Sequence, residues 1–394
     1  MSSSPMVIVS YREASRRTWL RKAGGLTVFL GENGAGKSRL LSEIAIDSVK
    51  KGGATIVVAN TPYDRFKKHG SSMKRLLARK GSTVPEKALK NAISNGVSGD
   101  EISLKRVSRV LQHCGYQPDV GVQIKVTTGK RRTRAEMSVL DELTDVDKKE
   151  VLSVCEVLLR GDISDQIFWF DFDSVHLRYS YREVLPKVLR WELLLKRMKI
   201  ISGVKLHLMK GRLPISLSEA SSGELSLIAT MAFIATTIEQ GACVIIDEPE
   251  NSLHPRWQRE YLGILLEVLK YRQANIFIAT HSPLVISELD GGDLEGVNIR
   301  TIIISSDVDR NRINAPNSVE GILVEAFRTV APENHYLSRL LADLLNLVDS
   351  DPANLSSVKS RLDELRDGMP DQKQVEVIAA VEEMAEKIAG GDHK

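Results

Sequence analysis

Eight residues near the amino terminus have the spacing of a loop that binds phosphate. Residues 31–38 read Gly-Glu-Asn-Gly-Ala-Gly-Lys-Ser and match the pattern G-x-x-x-x-G-K-[ST]. Glycines let backbone N–H groups curl around phosphate oxygens, and the helix that follows turns its positive end toward them. In this arrangement Lys37 neutralises the β- and γ-phosphates of a nucleotide, and the Ser38 hydroxyl binds Mg²⁺. A glycine-rich loop without a ligand is the alternative.

An apolar run later in the chain ends in two adjacent carboxylates. Residues 242–246 are predicted to form a strand, and Asp247 and Glu248 follow it directly. A strand end places Asp247 beside the phosphate loop, where it can hold Mg²⁺ through water. Glu248 lies one residue further along and can orient the attacking water. An acidic turn with no catalytic role is the alternative, and the phosphate loop upstream favours catalysis.

The segment Ala-Ser-Ser-Gly-Glu at residues 220–224 precedes a predicted helix and has two interpretations. Ser221 is an ordinary helix cap, and Glu224 three residues later completes a capping box. The same helix N-terminus can also bind a phosphate across a dimer interface. Because the cap alone explains the residue types, the neighbouring motifs must decide between the two.

A histidine, His281, stands at the end of the predicted strand that comes after Asp247 and Glu248. A lone histidine is more often structural, but at this position it can contact the γ-phosphate. We therefore predict that Lys37, Glu248 and His281 are the catalytic residues.

The elements that position these residues alternate between strand and helix. Apolar and β-branched runs predict strands, and apolar residues at helical spacing predict the helices between them. The predicted strands are 7–9, 26–30, 55–59, 242–246, 276–279 and 299–304, and the main predicted helices are 225–237 and 257–271. This order predicts an α/β fold with parallel strands, which we expect as a mixed sheet with flanking helices.

The chain divides into four predicted segments. Residues 1–63 and 205–305 are predicted to be the two halves of one ATPase core. Residues 64–204 are predicted to be an inserted, mainly helical basic lobe, with helices near 87–94, 102–113, 148–159 and 186–198 and short strands at 122–126 and 167–172. Residues 306–394 are predicted to be an amphipathic helical tail, broken at Asp351-Pro352 and at residues 368–370.

The composition excludes several classes of protein. Of the 394 residues 42% are hydrophobic and 27% are charged, so a disordered chain, a collagen or a coiled-coil rod is not expected. The longest apolar stretch, residues 228–246, is interrupted by Glu239, Gln240 and Gly241, and this argues against a membrane span. The first ten residues lack the pattern of a signal peptide. Three cysteines without CxxC spacing fit a reducing compartment, so a cytoplasmic location is expected.

The net charge of +3 conceals two halves of opposite sign. Residues 1–134 hold 26 Lys/Arg and 9 Asp/Glu, and residues 135–394 hold 28 and 42. The basic residues of the lobe form two clusters: Lys67, Lys68, Lys74, Arg75, Arg79 and Lys80, and Lys130, Arg131, Arg132 and Arg134. Such clusters can track a nucleic-acid backbone, meet an acidic protein or form a solvated face. No aromatic residues are interleaved, so a reader of base sequence is not supported.

Taken in order, the four motifs resemble the ATPases of the ATP-binding-cassette type, with a phosphate loop, a signature, a Walker B strand and a switch histidine. Residues 247–255, Asp-Glu-Pro-Glu-Asn-Ser-Leu-His-Pro, and residues 279–283, Ala-Thr-His-Ser-Pro, resemble more specifically the overcoming-lysogenization-defect (OLD) and related SMC-like ATPases. These recur in bacterial anti-phage systems, including Septu-like and retron-associated modules. The resemblance covers residues 5–60 and 205–305 and implies ATP-driven homodimers joined head to head.

The resemblance assigns roles position by position. The signature serine falls on Ser221, Ser222 replaces the first glycine of the transporter-type signature, and Gly223 falls on the second. His281 falls on the switch histidine, and Ser252 falls in the loop that contacts the opposite subunit. The residues implied to bind nucleotide are Gly31, Glu32, Asn33, Gly34, Ala35, Gly36, Lys37, Ser38, Arg39, Ser221, Ser222, Gly223 and Glu224.

The chain departs from the family at the loop that supplies a glutamine to the metal. Asn60 stands there, after the strand at 55–59, and is our substitute beside the metal ligands Ser38 and Asp247. Tyr11, Arg16 and Trp19 are candidates for contacts with adenine, and a surface or core role is equally open for each.

These features predict an ATPase that binds ATP and Mg²⁺, dimerises around them and acts as the sensor or regulatory engine of an anti-phage defence complex. The tail lacks the carboxylate cluster of the Toprim nuclease domain of OLD nucleases, so a toxic effector is expected on a separate chain. An SMC-like repair ATPase acting directly on DNA is the alternative. A transporter's nucleotide-binding subunit is a third hypothesis, disfavoured by the missing glutamine and the large inserted lobe.

Overall fold

A computed structural model describes residues 6–20, 24–61, 65–77, 83–97, 101–127, 138–160, 163, 166–173, 176–177, 184–287, 297–304, 335–367 and 372–390. Its strands are β1 (Met6–Val9), β2 (Gly25–Leu30), β3 (Thr55–Ala59), β4 (Met73–Leu77), β5 (Asp119–Val126), β6 (Ile167–Asp171), β7 (His176–Leu177), β8 (Ile201–Lys210), β9 (Leu213–Ser216), β10 (Cys243–Asp247), β11 (Asn275–Thr280) and β12 (Ile299–Ile304).

The same residues contain α-helices that cover both faces of the main sheet and form the carboxyl-terminal part. They are α1 (Tyr11–Ser15), α2 (Lys37–Lys50), α3 (Thr83–Val97), α4 (Glu101–His113), α5 (Asp145–Arg160), α6 (Val184–Arg190), α7 (Glu192–Arg197), α8 (Ser222–Thr237), α9 (Pro255–Leu269), α10 (His335–Ser350), α11 (Leu355–Asp367) and α12 (Gln372–Ala389).

The main sheet has seven strands in the order β1-β12-β2-β11-β10-β3-β4. Each neighbouring pair in it is parallel. All residues of β3, β10 and β11 are buried, as expected for parallel strands that are covered on both faces. The predicted α/β fold is therefore confirmed, and β4 extends this sheet past the predicted boundary at residue 63.

The antiparallel strands form a separate sheet of five, in the order β7-β6-β5-β8-β9. The two kinds of strand are thus divided between two sheets instead of being mixed in one. The sequence pattern predicted parts of β5 and β6 but not β8, which crosses the predicted boundary at residue 204. Along β8, Val204, Leu206 and Leu208 are buried at every second position, which is the alternation of a strand with one buried face.

Helices cover the two faces of the main sheet with different apolar surfaces. On one face α2 buries Leu40, Leu41 and Ile44 against a core that includes Phe29 and Phe277. On the other face α8 packs against β3 and β4, and α3 and α4 lie against α8. Because α8 has neighbours on nearly all sides, most of its residues are buried.

The long apolar stretch at residues 228–246 is the end of α8 followed by β10, with a turn at Gly241 between them. Among the described residues, no helix is both long enough and apolar enough to cross a bilayer. The helix predicted at residues 186–198 is divided into α6 and α7 at Trp191.

The last three helices have an apolar core of their own. Leu344 and Val348 of α10 pack with Leu362 of α11 and Ile378 of α12. The predicted break lies where expected, since the side chain of Asp351 caps a short 3₁₀ turn that begins at Pro352. The predicted turn at residues 368–370 lies outside the described residues.

Candidate functional site

Four of the predicted segments meet at one edge of the main sheet. The strands β2, β11, β10 and β3 are adjacent and parallel, so their carboxyl ends lie side by side. Pairing of Leu30 with Thr280, and of Asp247 with both Ala279 and Ala59, brings these ends level. The phosphate loop, His281, the two carboxylates and Asn60 follow these four ends, at the edge where open α/β sheets bind ligands.

The phosphate loop leads into a helix whose first turn has no side-chain cap. Gly36 is the N-cap of α2, and its φ of 98° lies in the left-handed region that favours glycine. A Cβ atom on Gly36 would stand 2.8 Å from the ring of Tyr11, so the position has no room for a side chain. By contrast, the side chains of Ser221 and His254 cap α8 and α9. No side chain of the N-cap residue occupies the first amides of α2, so they can donate to an anion.

Lys37 is held under the loop by two backbone carbonyl groups. Its side chain is buried, and Nζ donates hydrogen bonds of 2.8 Å to the carbonyl oxygens of Gly31 and Glu32. Burial lowers the pKa of Lys37, while the charges of Glu248, Glu250 and Asp247 oppose that shift. A buried ammonium ion at this point suits a phosphate group, which is a stronger anionic partner than a carbonyl.

Ser38 and Asp247 form a pair of oxygen ligands between α2 and β10. Ser38 Oγ donates a hydrogen bond of 3.0 Å to Asp247 Oδ1. Burial raises the pKa of Asp247 to about 7, with a smaller lowering by the bond from Ser38. A carboxylate and an adjacent hydroxyl are oxygen donors of the kind that a hard cation such as Mg²⁺ prefers.

Glu248 adopts a left-handed backbone conformation, with φ of 51°. Its N–H donates to the carbonyl oxygen of Ala279 at 2.8 Å, and its Oε2 accepts a hydrogen bond of 2.9 Å from Asn251 Nδ2. Non-glycine residues in this region cluster at functional sites, where the surroundings hold them. The sequence pattern did not single out Asn251, although an amide in the turn after Glu248 was a visible signal.

Asn60 lies directly beside this group. Its N–H donates to the carbonyl oxygen of Asp247 at 3.2 Å, and its own carbonyl oxygen is 3.4 Å from Asn251 Nδ2. Both contacts use the backbone of Asn60, so the proposed role of its side chain as a metal ligand stays a prediction.

His281 is fixed by Glu250, a residue that the sequence pattern did not assign to the site. Glu250 Oε1 accepts a hydrogen bond of 2.7 Å from the backbone N–H of His281 and lies 3.0 Å from its Nδ1. The next residue is also held, because Ser282 Oγ donates to Gln258 Oε1 at 2.7 Å. The switch loop is thereby joined to the segment that follows β10.

The signature segment forms the predicted capping box. Ser221 Oγ accepts from the N–H of Glu224, and Glu224 Oε2 accepts from the N–H of Ser221, both at 3.2 Å. Ser221 and Ser222 are exposed, while Gly223 is buried. A Cβ atom on Gly223 would lie 2.6 Å from the carbonyl oxygen of Ser252, whose φ is 69°. The signature and the Ser252 loop are thus in direct contact.

The comparisons with known proteins agree with this geometry. Residues 117–287 match the family model described as "AAA domain, putative AbiEii toxin, Type IV TA system". That range contains the second sheet, the signature, the two carboxylates and His281, and the phosphate loop lies before it. This part of the chain is therefore similar to an AAA domain.

A curated relative is similar to a short part of the chain. It is "Protein ea59" of Escherichia phage lambda, which is 35% identical over 69 residues. The match covers 18% of this chain and 13% of that protein. The chain therefore spans a small part of the length of that relative.

Helix α8 is joined to the second sheet through Glu224. Tyr116 Oη donates a hydrogen bond of 2.6 Å to Glu224 Oε2, and Lys210 Nζ lies 3.3 Å from Oε1. Burial raises the pKa of Glu224, but the bonds from Tyr116, from the N–H of Ser221 and from Lys210 outweigh it and lower the pKa overall. One carboxylate therefore caps α8 and holds β8 to it.

The residues considered for adenine differ in their surroundings. The guanidinium group of Arg39 stacks 5.0 Å from the centre of the Tyr11 ring, beside the phosphate loop. Trp19 is buried in the apolar core between α2 and the main sheet, where Nε1 donates to the carbonyl oxygen of Ala14 and the ring packs edge-on against Phe29. Arg16 is exposed at the end of α1. Trp19 thus has a core role, and Tyr11 keeps the position nearest to the loop.

The described part of the first basic cluster lies at the edge strand β4. Lys67 and Lys68 are exposed, whereas Lys74 pairs with Glu239 at 3.1 Å and Arg75 donates to the carbonyl oxygen of Phe66. Two of the six charges thus have partners within the chain. Arg79, Lys80 and the whole second cluster lie outside the described residues.

Proposed function

We propose that this protein binds and hydrolyses Mg-ATP at the carboxyl edge of its main sheet. The observation that carries the proposal is the contact of Ser38 with the buried Asp247, next to Lys37 and Glu248. A hydroxyl, a carboxylate and an ammonium group in one place match the needs of a metal-bound triphosphate. When bound, Mg²⁺ supplies neutralisation of charge on the β- and γ-phosphate oxygens.

Each side chain of the site has a separate role in the proposed hydrolysis. Lys37 exchanges its two carbonyl partners for phosphate oxygens, and the uncapped amides of α2 bind the same group. Ser38 and Asp247 would hold the Mg²⁺ ion. Glu248, steadied by Asn251, orients a water and accepts its proton as the water attacks the γ-phosphorus.

The signature segment suits a shared site between two copies of the chain. Ser221 and Ser222 are exposed at the N-terminus of α8, and the long α8 provides the positive end that an anion favours. We infer that the signature of one copy completes the phosphate site of the other, so that ATP joins two copies head to head. In this proposal hydrolysis of ATP separates the two copies and changes how tightly they bind a partner.

The homodimer can be tested with a variant that binds ATP without hydrolysing it. Glu248→Gln keeps the shape of the side chain but removes the base, so ATP should hold the dimer closed. Light scattering should give twice the monomer mass for this variant with ATP and Mg²⁺, and the monomer mass without ATP. A monomer that binds ATP, as measured by calorimetry, would contradict the dimer.

We propose further that the ATPase is the sensor or regulatory engine of an anti-phage defence complex whose effector is a separate chain. The description of the matched family, which names a toxin and a toxin–antitoxin system, supports a pairing with another protein. Copurification from the native operon followed by mass spectrometry should recover an effector at fixed stoichiometry. Recovery of the ATPase alone would contradict this role.

An ATPase that acts directly on nucleic acid is the second candidate. The observation that favours it is the exposed run Lys67, Lys68 and His69 at the sheet edge. Backbone binding of this kind releases counterions and weakens steeply with salt. A salt titration with duplex DNA and with RNA distinguishes this candidate from a partner that is a protein.

A further inference from the structure

A groove between α4 and α9 lies away from the proposed phosphate site. Near one end of it, Arg106 Nη2 donates to the carbonyl oxygen of Lys270 at 3.0 Å. Further along α4, His113 Nε2 lies 2.6 Å from Glu260 Oε2, so the two helices run antiparallel. Lys270 precedes β11, and this end of the groove is therefore at the amino edge of the main sheet, whereas the phosphate loop follows the carboxyl end of β2. The proposed hydrolysis uses none of the groove residues.

The floor of the groove is apolar and contains a small cavity. The cavity has a volume of about 40 Å³, and its apolar lining consists of the buried side chains Val110, Ile264 and Val268. Its polar lining consists of Arg106, Arg109, His113 and Glu267. A space of this size has room for a few water molecules or for the end of one apolar side chain.

Two large apolar side chains are exposed at the end of the groove near the amino edge of the sheet. Ile102 is one turn before Arg106 on the same face of α4, and 62% of its surface is accessible. Tyr271 directly follows Lys270, and 82% of its surface is accessible. Because Arg106 contacts Lys270, both side chains lie at this end. One exposed apolar residue is ordinary, but two beside an apolar cavity indicate a contact surface.

Tyr271 also has an unfavourable backbone conformation. Its φ of 68° lies in the left-handed region, and it follows the C-cap residue of α9, where glycine is usual. A bulky residue costs free energy there, and an exposed ring recovers little of that cost by packing within the chain. Within the chain, the ammonium group of Lys270 lies 5.4 Å from the ring centre. Contact with a second molecule explains an aromatic side chain at this position better than packing does.

The rim of the groove has an excess of positive charge. Its two carboxylates are already paired, Glu267 with Arg109 at 2.5 Å and Glu260 with Arg256 at 2.9 Å. Lys105 and Lys270 are exposed, and neither pairs with a carboxylate in the part of the chain that the structure describes. The two lysines are therefore available to a negatively charged partner.

These features favour a protein segment over a nucleic acid as the partner. Glu260 and Glu267 would repel a phosphate backbone, and an apolar floor gives such a backbone nothing to bind. An amphipathic helix, by contrast, places its apolar side chains in a groove and its charged side chains on the rim. Tyrosine and arginine are also enriched in the central, tightly bound parts of protein interfaces.

We propose that the groove between α4 and α9 docks an acidic amphipathic helix of a partner protein. One apolar side chain of that helix enters the cavity, and a second, one turn away, contacts Ile102 and Tyr271. Its acidic residues pair with Lys105 and Lys270. This inference goes beyond the proposed ATPase function, because docking and hydrolysis use different residues.

A designed peptide tests the docking site. The probe is a fluorescent helix of about 16 residues, with leucines four residues apart and glutamates on both sides of them. In fluorescence anisotropy with the whole chain, it should bind at least about tenfold more tightly than the same peptide with lysines in place of the glutamates. Replacing the leucines by serines should weaken binding by a similar factor. No binding of the acidic peptide, or equal binding of the acidic and basic peptides, would overturn the proposal.

Two double variants show whether the peptide binds in the groove. Ile102→Ser with Tyr271→Ser removes the exposed apolar contacts, and Lys105→Glu with Lys270→Glu reverses the charge of the rim. Each should raise the Kd of the acidic peptide at least about tenfold, and circular dichroism should show that both variants are folded. Wild-type affinity in both variants would overturn the proposal.

Matched controls make the same kinds of change elsewhere. Val146→Ser with Leu193→Ser removes two apolar side chains that are 77% and 78% exposed. Lys149→Glu with Lys205→Glu changes the charge by the same amount at exposed positions. Both controls should bind the acidic peptide as the wild type does. If they lose affinity as much as the groove variants do, the peptide is not specific for the groove, and the proposal fails.

Two further measurements on the same samples separate the alternatives. Single-stranded poly(dT) should bind the groove variants and the wild type equally, and loss of its binding in both groove variants would overturn the proposal in favour of nucleic acid. ATP turnover should be the same in the wild type and in every variant. Peptide docking by a protein that shows no ATP turnover would contradict the proposed function and leave the docking site supported.

Discussion

At the scale of single residues, the site depends on backbone positions as much as on charged groups. Gly36 and Gly223 each have a neighbour where a side chain would stand, and Glu248 and Ser252 have left-handed backbone conformations. The phosphate loop and the two carboxylates were recognisable in the sequence because their chemistry is local. Glu250 was not, because its contact with His281 joins positions 31 residues apart in the chain.

Gly223 provides a test of the contact between the signature and the Ser252 loop. Gly223→Ala places a methyl group 2.6 Å from the carbonyl oxygen of Ser252, so backbone must shift. We expect a loss of about 1–3 kcal/mol in the free energy of unfolding, and weaker ATP-driven dimerisation. Urea unfolding and light scattering measure the two effects.

A second glycine serves as the control for Gly223. Gly263 lies inside α9, and a Cβ atom there meets nothing within 4 Å. Gly263→Ala should therefore stabilise the protein by up to about 1 kcal/mol, through helix propensity alone. If Gly223→Ala and Gly263→Ala change the free energy of unfolding equally, Gly223 is not in close contact with the Ser252 carbonyl oxygen.

At the scale of elements, parallel strands with buried β-branched residues were predictable, and strands with charged residues were not. β3, β10 and β11 consist of such runs, and the sequence pattern identified all three. β4 contains Lys74 and Arg75 because it is an edge strand, where charge discourages pairing with other chains. β8 has apolar residues at every second position, Val204, Leu206 and Leu208, so its strand was visible in the sequence although it was not predicted.

The hydrogen bond from Tyr116 to Glu224, which helps to join α8 to the second sheet, can be tested by substitution. Tyr116→Phe removes the donor to Glu224 and leaves a buried carboxylate oxygen with one bond fewer. The free energy of unfolding should fall by about 1.5–3 kcal/mol, which is the usual contribution of one hydrogen bond to a charged group. Urea denaturation at neutral pH measures it.

Tyr271 is the control for this substitution, because it is an exposed tyrosine, with 82% of its surface accessible. Tyr271→Phe should change stability by less than about 0.5 kcal/mol. If Tyr116→Phe is equally mild, Glu224 is held by its other partners, and the sheet is not coupled to the signature through this hydroxyl.

At the scale of the whole molecule, the charge asymmetry has a structural outline. Part of the positive half lines the edge of the main sheet at β4, and the negative half carries Asp247, Glu248 and the carboxyl-terminal helices. The segment boundaries at residues 63, 204 and 305 stay predictions, since β4 joins the core sheet and β8 spans the second boundary. The boundaries depend on which sheet each strand joins, and the composition of a segment does not specify this.

Charge reversal at the sheet edge tests whether the exposed basic residues there bind nucleic acid or an acidic partner. The double variant Lys67→Glu and Lys68→Glu should weaken binding of nucleic acid or of an acidic partner and reduce its salt dependence, while ATP binding stays unchanged. The control with the same change in charge is Lys149→Glu with Arg259→Glu, two exposed positions elsewhere. If both double variants bind every partner as the wild type does, the edge is a solvated surface.

We propose that the carboxyl edge of the main sheet hydrolyses Mg-ATP through Glu248. Phosphate release by purified wild-type protein, Lys37→Ala and Glu248→Gln, with ATP binding measured on the same samples, tests this proposal. We expect Mg²⁺-dependent turnover by the wild type, loss of binding in Lys37→Ala, and retained binding with turnover reduced at least about a hundredfold in Glu248→Gln. Turnover by Glu248→Gln at the wild-type rate, or ATP binding by Lys37→Ala at the wild-type affinity, would contradict it.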